Sequence, residues 1–387
     1  MPLTGATILQ VIPNLEAGGA ERTTIEVAEA LTAANAKALV VSSGGRMGDE
    51  LLKAGGELIW SDAFASKNPI SIFANSRTLA RIIIERKVDL IHARSRAPAW
   101  SALWAARRTR IPFVTTYHGV YNAKGAPKRL YNSVMARGDV VIANSQYTAD
   151  HVRKEHPFAT DRIVTIPRGV DIARFDAEKV DAFRRQVLRR AWKVPEGDTA
   201  ALIVLPARMT GWKGHREAVA AAALMARKRE LSWRMVFAGD AQGRTGYVEE
   251  IKQLISTHGL DGRVSLVGHC EDMPAAFALA DIVIAPSNEP EAFGRVAAEA
   301  GAMGVPVVVS MIGAQREIIE EGRTGYSVPP FDPPALAEAM ARLISAGPEG
   351  RRIMGQAAAA RIREKFTTAA LQQATLAVYD RLLGRPA

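Results

Sequence analysis

The chain has 387 residues, 48% of them hydrophobic and 23% charged, with one cysteine and a formal net charge of +10. That length exceeds what a single core usually organises and predicts two domains. The composition excludes a disordered chain, and the lone Cys270 excludes an intramolecular disulfide framework or a multi-cysteine metal site and fits a reducing compartment.

In chain order, the opening MPLTGATILQVIPNLEAGG lacks a basic lead, and Gln10, Pro13 and Asn14 break its apolar run. It therefore predicts a first strand rather than a signal peptide. Val- and Ile-rich segments then alternate with helical periodicity: TILQVI, AKALVVS, VDLIHA, PFVTTYH, DVVIANS and RIVTIP. Such alternation predicts a parallel sheet with helices on both faces. The pattern lapses at PRGVDIARFDAEKVDAF and restarts with AALIVLPA, WRMVFAG, RVSLVG, DIVIAPS and VPVVVS. Two α/β domains are expected, 1–175 and 176–365, with a helix in 366–387 packing back on the first. No apolar run reaches the length that spans a bilayer.

Charge is uneven along this plan. Between Arg77 and Arg137 stand 13 Lys or Arg against two acids, Glu85 and Asp89. Such a patch serves nucleic acid, an anionic membrane surface or a phosphate-bearing substrate, or is simply solvated.

In doubly wound sheets, ligands collect where strands hand over to helix N-termini. After the first strand, Gly18 and Gly19 either let backbone approach a ligand or form a tight turn, and their spacing is not that of a dinucleotide fold. TTYHGVYNAKG puts His118 at a strand end, as a donor to a hydroxyl or as a structural histidine. In LPARMTGWKGHREAV, Arg208 and Lys213 flank a turn opening a helix; they suit a diphosphate or are two exposed basic residues, and the P-loop string is absent.

The stretch SNEPEAFGRVAAEAGAMGVPVV holds Glu291 and Glu299, eight residues apart, with a helix expected to begin near Phe293 or Gly294. Eight helical residues advance about 12 Å, so both carboxylates can line one elongated ligand. Alternatively, Glu291 favours a helix N-terminus and Arg295 pairs with either glutamate at four-residue spacing. Ala297, Ala298, Ala300 and Gly301 surround Glu299 with small side chains, and a carboxylate packed there needs strong donors such as a ribose diol.

PSNEPEAFGRVAAEAGAMGVPVV, preceded by ADIVIA and followed by GRTGYSVPP, resembles the donor-site signature of family 4 retaining glycosyltransferases. NLEAGGAER, TTYHG, VIANSQYTADHV and ARMTGWKGH extend the match over nearly the whole chain. The resemblance implies a GT-B fold: two Rossmann-like doubly wound domains facing across a cleft, with C-terminal helices, and donor binding mainly by the second. It also implies retention of configuration with no cofactor and no catalytic metal, and the chain contains no D-x-D string.

Carried over by motif, Glu299 would hold ribose hydroxyls, Arg208 and Lys213 the diphosphate, and Glu291 with the backbone at Phe293 and Gly294 the transferred sugar. Gly18 and Gly19 would approach the phosphates or the acceptor, and His118 the sugar near its reacting carbon. His118, Arg208, Lys213 and Glu291 form the expected catalytic set. In SMIGAQREII, Ile312 and Gln315 stand where the family commonly has a second glycine and a proline.

The implied reaction moves a hexose from a nucleoside-diphosphate sugar to a hydroxyl of a lipid-linked glycan, lipopolysaccharide or polysaccharide acceptor. Lys124, Lys128 and Arg129 beside Leu130, Tyr131 and Met135 suggest a basic amphipathic surface helix, and with it a cytoplasmic enzyme peripheral to an anionic membrane face; core packing explains the apolar members equally. The competing readings are an epimerase or hydrolase of the same fold and a basic nucleic-acid binder. No helix-turn-helix, finger or aromatic-basic RNA motif supports nucleic acid as a partner.

Overall fold

The computed structural model describes residues 3–16, 18–66, 68–121, 125–228 and 230–384. They form two compact units, Met1–Gly169 with Thr368–Ala387, and Val170–Thr367. The first crossing thus falls at Gly169 rather than 175, and the return at Thr368 rather than 366. The shift has a packing cause, because Val170, Phe175 and Val180 are buried in the second unit's core. Val170 N also donates to Phe366 O at 2.8 Å, so the two crossing points lie side by side.

In the first unit the strands are β1 (Thr7–Val11), β2 (Lys37–Ser42), β3 (Glu57–Trp60), β4 (Leu90–Ala93), β5 (Phe113–Tyr117), β6 (Val140–Ala143) and β7 (Ile163–Thr165). They pair in parallel in the order β3-β2-β1-β4-β5-β6-β7, so the winding reverses between β1 and β4. Successive side chains of a strand face opposite sides. Leu9 and Val11 accordingly join one core with Leu103 and Phe113, whereas Ile8 joins another with Val27 and Leu31. The helix Thr368–Leu383 belongs to this unit and fills the latter core with Leu371, Val378 and Tyr379.

The second unit has β8 (Ala201–Pro206), β9 (Trp233–Ala238), β10 (Val264–Gly268), β11 (Ile282–Ala285), β12 (Val307–Ser310) and β13 (Gly325–Val328). All pair in parallel, in the order β10-β9-β8-β11-β12-β13, with the reversal between β8 and β11. Cys270 is a buried free thiol. The edge strands β3 and β13 are not among the segments picked out by Val and Ile content. No helix of the described residues is long and apolar enough to cross a membrane.

Candidate active site

Ligand-binding crevices of such sheets open where the winding reverses. In the second unit that position is built from the loops after β8 and β11. A short turn, Gly211–Lys213, ends at Gly214, whose φ of +80° suits glycine and starts the helix His215–Ala226. A Cβ on Gly214 would lie 1.9 Å from Pro286 O, so backbone packs directly on backbone. Asn288 N donates to Trp212 O at 2.7 Å and ties the same two loops together.

This junction brings Lys213 and Glu291 into contact across 78 residues of chain. Lys213 Nζ pairs with Glu291 Oε1, Ser287 Oγ donates to the same oxygen at 2.8 Å, and the ammonium lies 4.1 Å from the Trp212 ring centroid. The paired side chains are only 15% and 18% exposed. Glu291 is fixed from below by a bridge to Gly313 and by Ala314 N, which donates to Glu291 O at 2.8 Å.

Here the structure corrects one expectation. The helix is Arg295–Ala302, with Gly294 as its N-cap at φ +96°, so it begins about where expected with Glu291 before it, but the two glutamates are not joined by eight helical residues and the 12 Å helical advance does not apply. Phe293 is buried in the adjoining core. Gly294 has no room for a side chain, since a Cβ would meet that of Gln315 at 2.6 Å. Gln315 is itself held by Nε2 donating to Ser310 O at 3.0 Å.

Glu299 is 9% exposed and accepts from Arg295 Nη2 at 2.7 Å and Nε at 3.2 Å, the four-residue pairing weighed from sequence. Arg208 stands apart: it is exposed, reaches Gln242 Oε1 at 3.5 Å, and makes no ion pair among the described residues.

In the first unit, His118 follows β5, and its Nδ1 lies 3.1 Å from Arg168 Nη2. Burial first, then the nearby Arg168 and Arg94 guanidinium groups, hold the imidazole well below its usual pKa. The space above Gly19, expected to admit a ligand, is occupied by Arg168: a Cβ there would fall 1.5 Å from Nη1. Gly18 caps the helix Gly19–Ala33 at φ +156°, and its own Cβ would meet the Glu21 carboxylate at 2.5 Å.

Three residues absent from the sequence reading share this corner. Arg94 is 2% exposed, with Nε and Nη2 donating to Gln10 Oε1 at 2.8 and 2.5 Å. Asn144 is buried with both amide atoms lacking partners among the described residues. Arg94, His118, Asn144 and Arg168 line one small cavity together with Thr116. Arg94, Asn144 and Arg168 follow the ends of β4, β6 and β7, so the rule that selected His118 selects these three as well.

The expected basic helix is also revised. Ala126–Asn132 is helical and exposes Lys128, Arg129 and Leu130. Met135 instead lies in the core beyond it, and Lys124 falls outside the described residues.

Residues 17–174 match the profile of Glycosyltransferase Family 4, and residues 187–361 that of Glycosyl transferases group 1. A D-inositol 3-phosphate glycosyltransferase of Xylanimonas cellulosilytica is 30% identical over 306 residues, covering 75% of this chain and 71% of the relative. A glycosyltransferase structure from Rickettsia africae superposes with a TM-score of 0.91 at 33% identity, covering 99% of this chain and all of the other. The fold also matches Anabaena HepE in complex with UDP, at a TM-score of 0.81, 24% identity, and 97% and 100% coverage. With two doubly wound sheets in the GT-B manner and both halves matched in order, this chain belongs to the glycosyltransferases of family 4 and group 1.

Proposed function

We propose that this glycosyltransferase is a retaining, metal-independent hexosyltransferase that uses a nucleoside-diphosphate sugar and glycosylates a hydroxyl of a phosphorylated or lipid-linked glycan. The observation that carries the reading is the Lys213–Glu291 pair at the reversal of the second sheet, with Glu299 one short helix away.

A diphosphate offers Lys213 a stronger partner than one carboxylate and draws in the exposed Arg208 and the N-terminal end of the helix Arg295–Ala302. Glu291, released from Lys213, accepts from hydroxyls of the sugar. Glu299 exchanges Arg295 for the ribose diol. The bond from the anomeric carbon to the phosphate oxygen then breaks, its electron pair leaving with the nucleoside diphosphate, whose growing charge the cations stabilise. The acceptor oxygen bonds to the same face of the oxocarbenium-like carbon and gives its proton to the departing phosphate.

For the acceptor, the first unit supplies a ribbon of rings and guanidinium groups. Phe73 and Trp104, 52% and 41% exposed, meet edge to face at 6.4 Å, and Trp104 adjoins Trp100 at 5.9 Å. Arg77 lies 4.6 Å from the Phe73 centroid, and Arg137 reaches the rings of Trp100 and Phe158 at 5.7 and 5.6 Å. Aromatic rings interleaved with arginine suit the headgroup region of an anionic bilayer, and with it an enzyme peripheral to the cytoplasmic face. The D-inositol 3-phosphate named for the relatives supports an acceptor bearing phosphate.

Calorimetric titration with UDP, GDP, ADP and their sugar conjugates, chelator present, tests the donor reading. Binding by one nucleotide family supports it, and binding that appears only with added metal overturns metal independence. Product formed without acceptor would instead point to a hydrolase or epimerase. Flotation with vesicles of phosphatidylglycerol, against phosphatidylcholine alone, tests the membrane face.

A further inference from the structure

Three segments distant in sequence meet at His118: the start of the first helix at Gly19, the end of β5, and the residues after β7 that carry Arg168. A guanidinium has donors and no acceptor. The imidazole nitrogen 3.1 Å from Arg168 Nη2 must therefore accept, and Nδ1 carries no proton. The proton of the neutral ring then sits on Nε2, which is enclosed and has no partner among the described residues. Arg168 reaches this position because Gly19 has no side chain: any Cβ would occupy the place of Nη1. The mobile end of Arg168, rather than backbone, is what such a Cβ would displace.

We infer that Arg168, seated on the bare backbone of Gly19, is a positioning residue that holds the His118 ring with its proton on Nε2, so that the ring meets the substrate as a hydrogen-bond donor. The inference rests on the reading that His118 contacts the transferred sugar, and it limits that contact to a lone pair: a hydroxyl or phosphate oxygen, never a group that must donate. It also gives Gly19 a different task, since its missing side chain seats an arginine instead of a ligand. The charged and titratable groups bearing on the ring are Arg168 and Arg94, both of which oppose its protonation, with His92 close by. Across the neutral range the donor thus stays in one form.

Long-range proton–nitrogen correlation spectra of the full chain, with His118 assigned through His118→Gln, read the tautomer directly. In the wild type Nδ1 should be the bare nitrogen and Nε2 the protonated one. An unconstrained ring already leans that way, so Arg168→Glu is the decisive arm: its carboxylate accepts from Nδ1–H and should invert the pattern. Turnover in that variant should fall about 100-fold with the donor KM changed little, whereas Arg168→Lys, which still donates, should keep the tautomer and most of the turnover. Gly19→Ala pushes the guanidinium aside and should match Arg168→Met, the double variant adding nothing. Melting curves identify any variant that misfolds, and Gly19→Ala and Arg168→Lys keep the test open if Arg168→Glu does. A wild-type ring protonated on Nδ1, an unchanged pattern in folded Arg168→Glu, or additive Gly19→Ala and Arg168→Met effects overturn the inference. The spectra need no sugar transfer, so absence of donor binding sinks the proposed function while leaving the arginine–histidine contact separately decided.

Discussion

The two sheets share one winding plan yet furnish their ligand corners with different electrostatics. In the second unit each candidate acid is matched to a base, Lys213 with Glu291 and Arg295 with Glu299. In the first, Arg94 is buried with an amide oxygen as its acceptor and no carboxylate in ion-pair range among the described residues, beside His118, Asn144 and Arg168. Lys213, Glu291 and Glu299 are mostly shielded from solvent, so each of these groups needs a charged or hydrogen-bonding partner, which a ligand of matching charge can supply in place of the present one. The first carries donors already aimed inward. On the proposed function the second unit would exchange partners on binding, whereas the corner of the first is organised beforehand.

Breaking the exchange should have the largest effect. Glu291→Gln should lower turnover about 100-fold while nucleotide affinity stays within a few-fold, because the sugar and not the nucleotide loses its carboxylate. Wild-type kinetics in that variant would remove Glu291 from the site. Glu299→Gln should weaken nucleotide-sugar binding about tenfold by calorimetry. Arg295→Ala, which merely frees Glu299, should leave affinity equal or tighter; parallel losses in both variants would make the pair structural.

A pH series contrasts the units through stability. His215, packed between the Phe237 and Tyr247 rings in the second unit, has its pKa lowered to about 4, chiefly by burial. Unfolded, it titrates near about 6.5. The folded state therefore binds fewer protons between those values, so stability is level above the upper value and falls below it by up to about 1.4 kcal/mol per pH unit. His92 in the first unit acts in the same direction, its pKa lowered first by burial and then by Arg94. Urea melts should show a shallower acid slope in His215→Gln, and an unchanged slope would mean the ring charges without unfolding.

The smallest effect belongs to Tyr379→Phe, which removes a 2.6 Å contact between its hydroxyl and His92 Nδ1. A loss of about 1 kcal/mol is expected, seen as faster hydrogen exchange in the first unit alone.

Most of the fold was readable because central parallel strands are buried on both faces and appear as Val and Ile runs. The edges were not. β3 exposes Glu57 and Trp60, and β13 begins with Gly325 and holds only four residues, so neither has the apolar density that marks a buried strand. Lys213 and Glu291 were legible as strand-end residues, but their contact spans two loops, and sequence spacing carries no information about it. Gly19 was legible as a close-approach position, while the approaching group, Arg168, lies on another strand's end. Met135 was open between surface and core, because an apolar residue beside a basic helix fits both periodicities, and here it is core.

The helix Thr368–Leu383 also sets the order in which the protein can be completed. Residues 170–367 form the second unit without interruption, whereas the first waits for Leu371, Val378 and Tyr379 to cover Ile8 and Leu31. During synthesis the first sheet emerges with an apolar slot that stays open while the whole second unit is made and folds. Translation pauses within 170–367 therefore prolong exposure of the first unit, and a nascent chain halted there should recruit holdase chaperones to residues made long before the pause.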